Sequence, residues 1–534
     1  MRSSSTEASA YHVLMRRVGI VFASLVVCVP LIGTLPATAA LGDAAAPAAA
    51  APATATREIS SRAEPAPRAA LDWRSCGSGN PARCATLTVP RDWGDRKVEG
   101  TYRIAVARIP AEKPSERIGV LTFNPGGPGS AAVSNITWVQ GMLPQRVRDR
   151  FDIVAWDPRG VGGSEPSISG CTVKDIAPPK TGPVDWDAWA EKYLRVNGEA
   201  AASCYDANRK HAPYVGTWQL VRDLDALRTA LGEETLTFWG MSYGSTVGRA
   251  YAQYFPERVR ALVLDGVISP LSTIELWARE HTWDDPLAID TMLGALGPAY
   301  RTKYDRVMSS LQTRTLRSSD GSRITRWTVG KDIISWASYQ STWSSVATLL
   351  DRVDAGLRTR DARERQRSID AAARLLTSSE GSASPAGPEP KGWFDPQWTY
   401  VNCSDMPDRP TAARLAEIAR EGAAAGGVHV GQSVLREGAQ CAGLPRFGRP
   451  IPRILSPIDL ATPPVIANAL ADNRTPWTAA TEMSRAFTGA RTVQYGGTHH
   501  IVYGRTTSCV DRPITRYLVN LKVPGRDVVC PLRY

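Results

Sequence analysis

"TLTFWGMSYGSTVGRAYAQYF", residues 235–255, holds the turn on which the fold reading rests. Leu236–Trp239 is an apolar run of strand length that stops at Gly240. "STVGRAYAQYF" (245–255) is compatible with a helix, which Pro256 closes. Between them lies Gly240-Met241-Ser242-Tyr243-Gly244. A G-x-S-x-G match is weak alone, because it arises by chance in long chains. With a strand before it and a helix after it, it becomes a sharp corner that lifts the serine hydroxyl above a sheet. Such a corner forces Ser242 into an unfavourable backbone conformation. Gly240 and Gly244 then spare the neighbouring strand and helix a clash. The helix N-terminus beyond favours developing negative charge.

Outward from this corner, apolar runs alternate with helical stretches. "YRIAVARI" (102–109), "IGVLTF" (118–123), "DIVAW" (152–156) and "ALVLDGV" (261–267) read as strands, as do "PPVIANAL" (463–470) and "RTVQYGG" (491–497). "WQLVRDLDALRTALG" (218–232) sets Leu220, Val221, Leu224, Leu227 and Leu231 on one helical face, with Gly232 as a stop. Continuous apolar strands separated by helices predict an α/β fold with a mostly parallel, doubly wound sheet covered on both faces. From about 271 to 442 the strand signals vanish and Trp-rich helical segments take over. This predicts a helical cap inserted between a first core part, 71–270, and a second, 443–534.

The chain opens differently. Arg16-Arg17, an apolar run and a small-residue "ATAA" give residues 1–39 the layout of a secretory signal. Residues 40–70 are Ala/Pro-rich and read as a linker or pro-segment. Beyond Cys28 there are eight cysteines, an even count that suggests disulfides in an exported chain. The shortest closures are 76–84, 171–204, 403–441 and 509–530. The net charge of +11 is scattered, mostly arginine, without a basic run interleaved with aromatics. It reads as a solvated cationic surface and not a nucleic-acid face. No Cys/His set has zinc-site spacing, and neither a metal nor a cofactor is expected. With the signal removed, no membrane association is expected; the oligomeric state stays open.

A serine hydroxyl is a weak nucleophile and needs a base, and here the expected order is serine, acid, histidine. Of six histidines, His499 and His500 alone follow a late strand, in the Gly-rich "YGGTHHIVYG" (495–504). One of the pair is expected to be the base. Asp472, just after the strand in "PPVIANALADNRTPW" (463–477), stands where the acid belongs. The "LTFNPGGPGS" loop (121–130) offers Gly126 and Gly127, one of which would join the Tyr243 backbone N–H in an oxyanion hole. "WDPRGVGGSEP" (156–166) is no phosphate loop, and Asp157 and Arg159 are expected to brace the elbow.

Seven stretches in order, "FNPGGPGS", "WDPRGVGGS", "FWGMSYGS", "LVLDGV", "YVNCSD…CAGLP", "ADNRTP" and "GGTHHIVYG…C", make most of residues 71–534 similar to a known group. The chain resembles the exported α/β-hydrolase exopeptidases, the actinomycete tripeptidyl aminopeptidases related to prolyl aminopeptidases. The resemblance implies an α/β-hydrolase fold and release of short peptides, often tripeptides, from free N-termini. It implies a triad of Ser242, Asp472 and His500, with Gly126 and Tyr243 as oxyanion donors. His500 is implied over His499 because Tyr503 follows three residues later; His499 stands where the group usually has glycine. An aminopeptidase must also bind an ammonium group. Glu275, Glu280 and Asp284, with Asp285 beside them, are candidate carboxylates at the start of the insertion. The expected partner is therefore a peptide with a free N-terminus. A small-molecule esterase or amidase with the same triad is the alternative. A non-catalytic binder on the same fold is a further one.

Overall fold

A computed structural model describes residues 71–95, 97–168, 176, 181–377 and 396–533. The signal and linker readings fall outside this range. The described core is a ten-stranded sheet. Its strands are β1 (Arg74–Ser75), β2 (Arg83–Pro90), β3 (Thr101–Ile109), β4 (Gly119–Asn124), β5 (Phe151–Trp156), β6 (Leu236–Met241) and β7 (Val259–Asp265). After a two-strand hairpin, β8 (Leu316–Arg317) with β9 (Arg323–Ile324), come β10 (Val465–Ala469), β11 (Arg491–Tyr495) and β12 (Val528–Cys530).

The spatial order is β1-β2-β3-β5-β4-β6-β7-β10-β11-β12. Pairing is antiparallel from β1 to β5 and parallel from β5 through β12. Every residue of β4, β5, β6 and β10 is buried, which is why these strands read as unbroken apolar runs. Along β6, Leu236 and Phe238 join the core on one face, while Trp239 and Met241 join the core on the other. The first face is covered by the helices Thr217–Ala230 and Tyr243–Tyr254, the second by Ile136–Met142 and Ser508–Asn520. β5 and β6 flank β4 on opposite sides, so the connections leaving β4 and β5 diverge there. A crevice opens at such a switch point, at the carboxyl ends of the strands. The loop after β4 and the turn after β6 both lie at it.

Between β7 and β10 the described residues are mainly helical, from Ile274–Leu296 to Val428–Gly438. They carry their own core, including Met292, Val307, Ile333, Leu349 and Val353. Two departures from the sequence reading have simple causes. The β8–β9 hairpin is too short, at two residues a strand, to give a periodic signal. The helix Trp186–Ala207, from the first core part, packs Trp189 and Tyr193 against Leu415 and Ile418 of the insertion. Its Trp189 also meets Trp327 edge-on at 4.7 Å.

The disulfides Cys76–Cys84, Cys403–Cys441 and Cys509–Cys530 form as the short-closure rule expects. Cys171 of the fourth pair lies outside the described residues. Among the described residues no helix is long and apolar enough to cross a membrane.

Candidate active site

Ser242 follows the last residue of β6 and precedes the first of the helix Tyr243–Tyr254. Its φ is 55° and its ψ −122°, a backbone state that a non-glycine residue adopts only under constraint. The glycines on either side show what imposes it. A Cβ on Gly240 would sit 2.2 Å from Gly244 O, and one on Gly244 would sit 2.5 Å from Asn124 O. The strand, the turn and the helix thus close on one another with no room for a methyl group. The Ser242 N–H donates to Asp265 O at 2.9 Å, and Ser242 O accepts from the Ser245 N–H at 2.8 Å. The Tyr243 N–H is at the first helical position and has no partner within its helix.

The loop after β4 lies against the serine. A Cβ on Gly126 would be 2.7 Å from Ser242 Cβ and 3.3 Å from Ser242 Oγ. The Gly126 N–H itself is already used: it donates to Asn124 Oδ1 at 3.0 Å. That corrects the expectation that Gly126 supplies the oxyanion donor. The next N–H, on Gly127, donates to no group among the described residues.

His500 and Asp472 meet directly. His500 Nδ1 lies 2.8 Å from Asp472 Oδ2, which also accepts from Thr475 Oγ1 at 2.9 Å. Asp472 Oδ1 accepts from the backbone N–H groups of Arg474 (2.8 Å) and Thr475 (3.1 Å). The carboxylate is fully buried with four donors around it, so its orientation is fixed on both oxygens. His499 faces elsewhere. Its Nδ1 is 3.0 Å from His500 O and its ring meets Tyr339 edge-on. Burial, helped by Arg505, pushes His499 down to about 4, so it stays neutral in ordinary buffers.

Nothing in "LVLDGV" itself marks Asp265 for a role at the site. The structure makes it the joint between the serine and the histidine. Its carbonyl holds the Ser242 N–H, and its buried carboxyl takes the N–H groups of Val502 and Tyr503, each at 2.9 Å. Burial pushes this carboxyl up to about 6, against those two N–H groups. The neighbouring Gly266 backs onto the imidazole: a Cβ there would be 3.1 Å from His500 Cε1. No hydrogen bond joins Ser242 Oγ to His500 among the described residues; β7 brings the two together.

Asp157 behaves as a brace. Its Oδ1 takes the N–H groups of Ala132 and Val133 just beyond the β4 loop, and its Oδ2 takes Gly163 N. Arg159 does something else: it pairs with the buried Asp223 and donates to Pro90 O, securing the helix Thr217–Ala230 against β2. Behind the elbow, the Tyr243 hydroxyl contacts Thr217 Oγ1. Thr217 in turn hydrogen-bonds Asp405 through its hydroxyl and, at 3.1 Å, through its N–H. Burial pushes Asp405 up to about 7.

The candidate acids of the insertion separate. Glu275 is taken by Arg414 at 2.8 Å on a partly exposed surface, which corrects its assignment as an amine anchor. Asp285 is paired with His281 (3.2 Å) and Asn473 (2.9 Å). Glu280 and Asp284 remain. Burial pushes Glu280 up to about 8, with Glu482 adding to the effect. Asp284 is 6% exposed and is held well above the carboxylate range by burial, then by Glu280, Asp285 and Asp472. Its Oδ2 is buried without a hydrogen-bond partner among the described residues. Glu482, which accepts from Ser269 Oγ, joins these acids. It lies on the helix Trp477–Arg485, far from the other two along the chain, so no local pattern flags it.

Comparison with known proteins matches residues 119–319 to the family described as alpha/beta hydrolase fold and residues 427–530 to that described as TAP-like protein. The serine protease Hip1 of Mycobacterium tuberculosis is 31% identical over 509 residues, covering 88% of this chain and 92% of that protein. The tripeptidyl aminopeptidase of Streptomyces lividans is 29% identical over 502 residues, 87% of each chain. Carboxylesterase B of M. tuberculosis is 28% identical over 471 residues, covering 84% of this chain and 86% of that protein.

Proposed function

The chain belongs to the α/β-hydrolase family and is a serine hydrolase, and from that premise we propose an exported exopeptidase that releases short peptides, tripeptides among them, from free N-termini. Ser242 Oγ attacks the scissile carbonyl while His500 Nε2 takes its proton. The oxyanion rests on the backbone N–H groups of Tyr243 and Gly127. His500 then protonates the leaving amine, and the released peptide departs. Water attacks the acyl-enzyme and gives a proton to His500, which passes it to Ser242 Oγ as the ester bond breaks, and the released acid carries the excised N-terminal fragment. Asp472 holds the imidazole with its Nδ1 proton inward. Three disulfides among the described residues favour an oxidising compartment, which supports export.

The observation that carries the exopeptidase reading is the buried Asp284, which feels the charges of the half-buried Glu280 and of Asp472 and has one oxygen lacking a donor among the described residues. A substrate ammonium supplies both the missing donor and the missing countercharge. The relative named a carboxylesterase supports the second reading, a small-molecule esterase with the same triad. Acetylation separates them. A tripeptidyl arylamide with a free amine is expected to be cleaved at least about 100-fold faster, in kcat/KM, than its N-acetyl form. Equal rates on the two substrates would overturn the exopeptidase reading.

The same acids carry a stability signature. Burial pushes Glu280 up to about 8 in the folded state, whereas an unfolded glutamate titrates near the ordinary value of 4.5. Between those values the native state binds more protons, so its contribution to stability falls as pH rises. Glu280→Gln is therefore expected to raise Tm more at pH 8 than at pH 5, and to raise KM for the free-amine substrate. Calorimetry at the two pH values checks it; a pH-independent Tm difference would refute it.

A further inference from the structure

The acid and base loops are both fastened to the same part of the insertion. The helix Arg326–Ala337 ends with carbonyls that have no intrahelical partner. Asn473 Nδ2 donates to one of them, Ile334 O, at 3.2 Å. The His500 N–H donates to Ser338 O, one residue beyond the helix, at 2.9 Å. Asn473 Oδ1 accepts from Ser338 Oγ at 2.8 Å, and Arg474 reaches Ser338 Oγ (3.1 Å) and Ser335 Oγ (3.2 Å). Asn473 Nδ2 also donates to Asp285 Oδ1 at 2.9 Å, on the helix Ile274–Leu296. The other oxygen of Asp285 faces His281. Asn473 and Asp285 are 3% and 0% exposed, so these bonds are made away from bulk water.

Consecutive residues of one turn thus face opposite ways. Asp472 points to His500, and Asn473 points into the insertion. We infer that Asn473 and Asp285 are positioning residues, a bridge through which the helical insertion sets the placement of Asp472 and His500. On this view the insertion does more than cover the substrate: the triad is in register only while the insertion is docked. Every amide hydrogen bond of Asn473 given above leads into the insertion and none to the sheet, so cutting the bridge loosens the acid turn while leaving the strands intact. A displacement of about 1 Å at reacting groups lowers rates on the order of 100-fold.

The inference rests on the triad of the proposed function, and the experiment separates the two. The readout is the rate at which a fluorophosphonate labels Ser242, which needs an activated serine but no peptide recognition. Asn473→Ala is expected to slow labelling and kcat together by about 100-fold, with KM changed by less than about threefold. Asp285→Ala cuts the bridge from the other end and should slow labelling by a similar factor, which keeps the test decisive if one variant does not fold. Asp285→Asn keeps an acceptor for Asn473 and should restore the rate to within about threefold of the wild type. Labelling of both alanine variants at the wild-type rate, whatever their Tm, would overturn the bridge. Failure of the wild type to label at Ser242 would instead overturn the triad.

Discussion

Ser242→Ala and His500→Ala are each expected to lower kcat by about a million-fold, and the double variant by hardly more than either alone. On the proposed mechanism the two groups perform one act. The serine is nucleophilic only while the imidazole takes its proton, so losing either loses the whole step. His499→Ala is the control that gives the pair its meaning. His499 is adjacent in sequence, but its Nδ1 faces the His500 carbonyl and its ring faces Tyr339. Held neutral with a pKa near 4, it is also a poor base. Its replacement should change kcat by less than about tenfold. Turnover of a free-amine tripeptidyl arylamide, normalised to folded protein, measures all four proteins. A His499→Ala loss as large as the His500→Ala loss would reassign the base.

The elbow was legible because its constraints are local. Gly240 and Gly244 are demanded by contacts within a few residues and one neighbouring strand, and the flanking run and helix advertise themselves by period. Asp472 and the histidine pair were legible through their order along the chain. What stayed hidden was decided by partners far away in sequence. Asp265 looks like any acid at a strand end until the N–H groups of Val502 and Tyr503 arrive on its carboxyl. Glu275 looks as eligible as Glu280 until Arg414 claims it. The choice between Gly126 and Gly127 turns on a side chain two residues upstream, Asn124, whose rotamer no pattern encodes.

Asp472→Asn is expected to lower kcat by about ten-thousand-fold while the protein keeps its fold and its Tm nearly unchanged. The direction follows from the donors around the carboxylate. Oδ1 accepts two backbone N–H groups, from Arg474 and Thr475, that cannot turn away. An asparagine amide placed there must put its carbonyl oxygen on that side. Its NH2 then occupies the Oδ2 position, facing Thr475 Oγ1 and His500 Nδ1. The threonine hydroxyl can rotate and accept. The imidazole can accommodate the NH2 only by accepting at Nδ1, which moves its proton to Nε2. An imidazole protonated at Nε2 presents a donor to Ser242 and cannot take the serine proton. The charge that would stabilise the imidazolium is lost at the same time. Because the wrong tautomer and not a vacancy causes the loss, Asp472→Ala should be no slower than Asp472→Asn. Nitrogen-15 NMR of the His500 ring tests the cause directly: the proton should reside on Nδ1 in the wild type and on Nε2 in Asp472→Asn. A wild-type tautomer in a slow Asp472→Asn variant would refute this account of the acid.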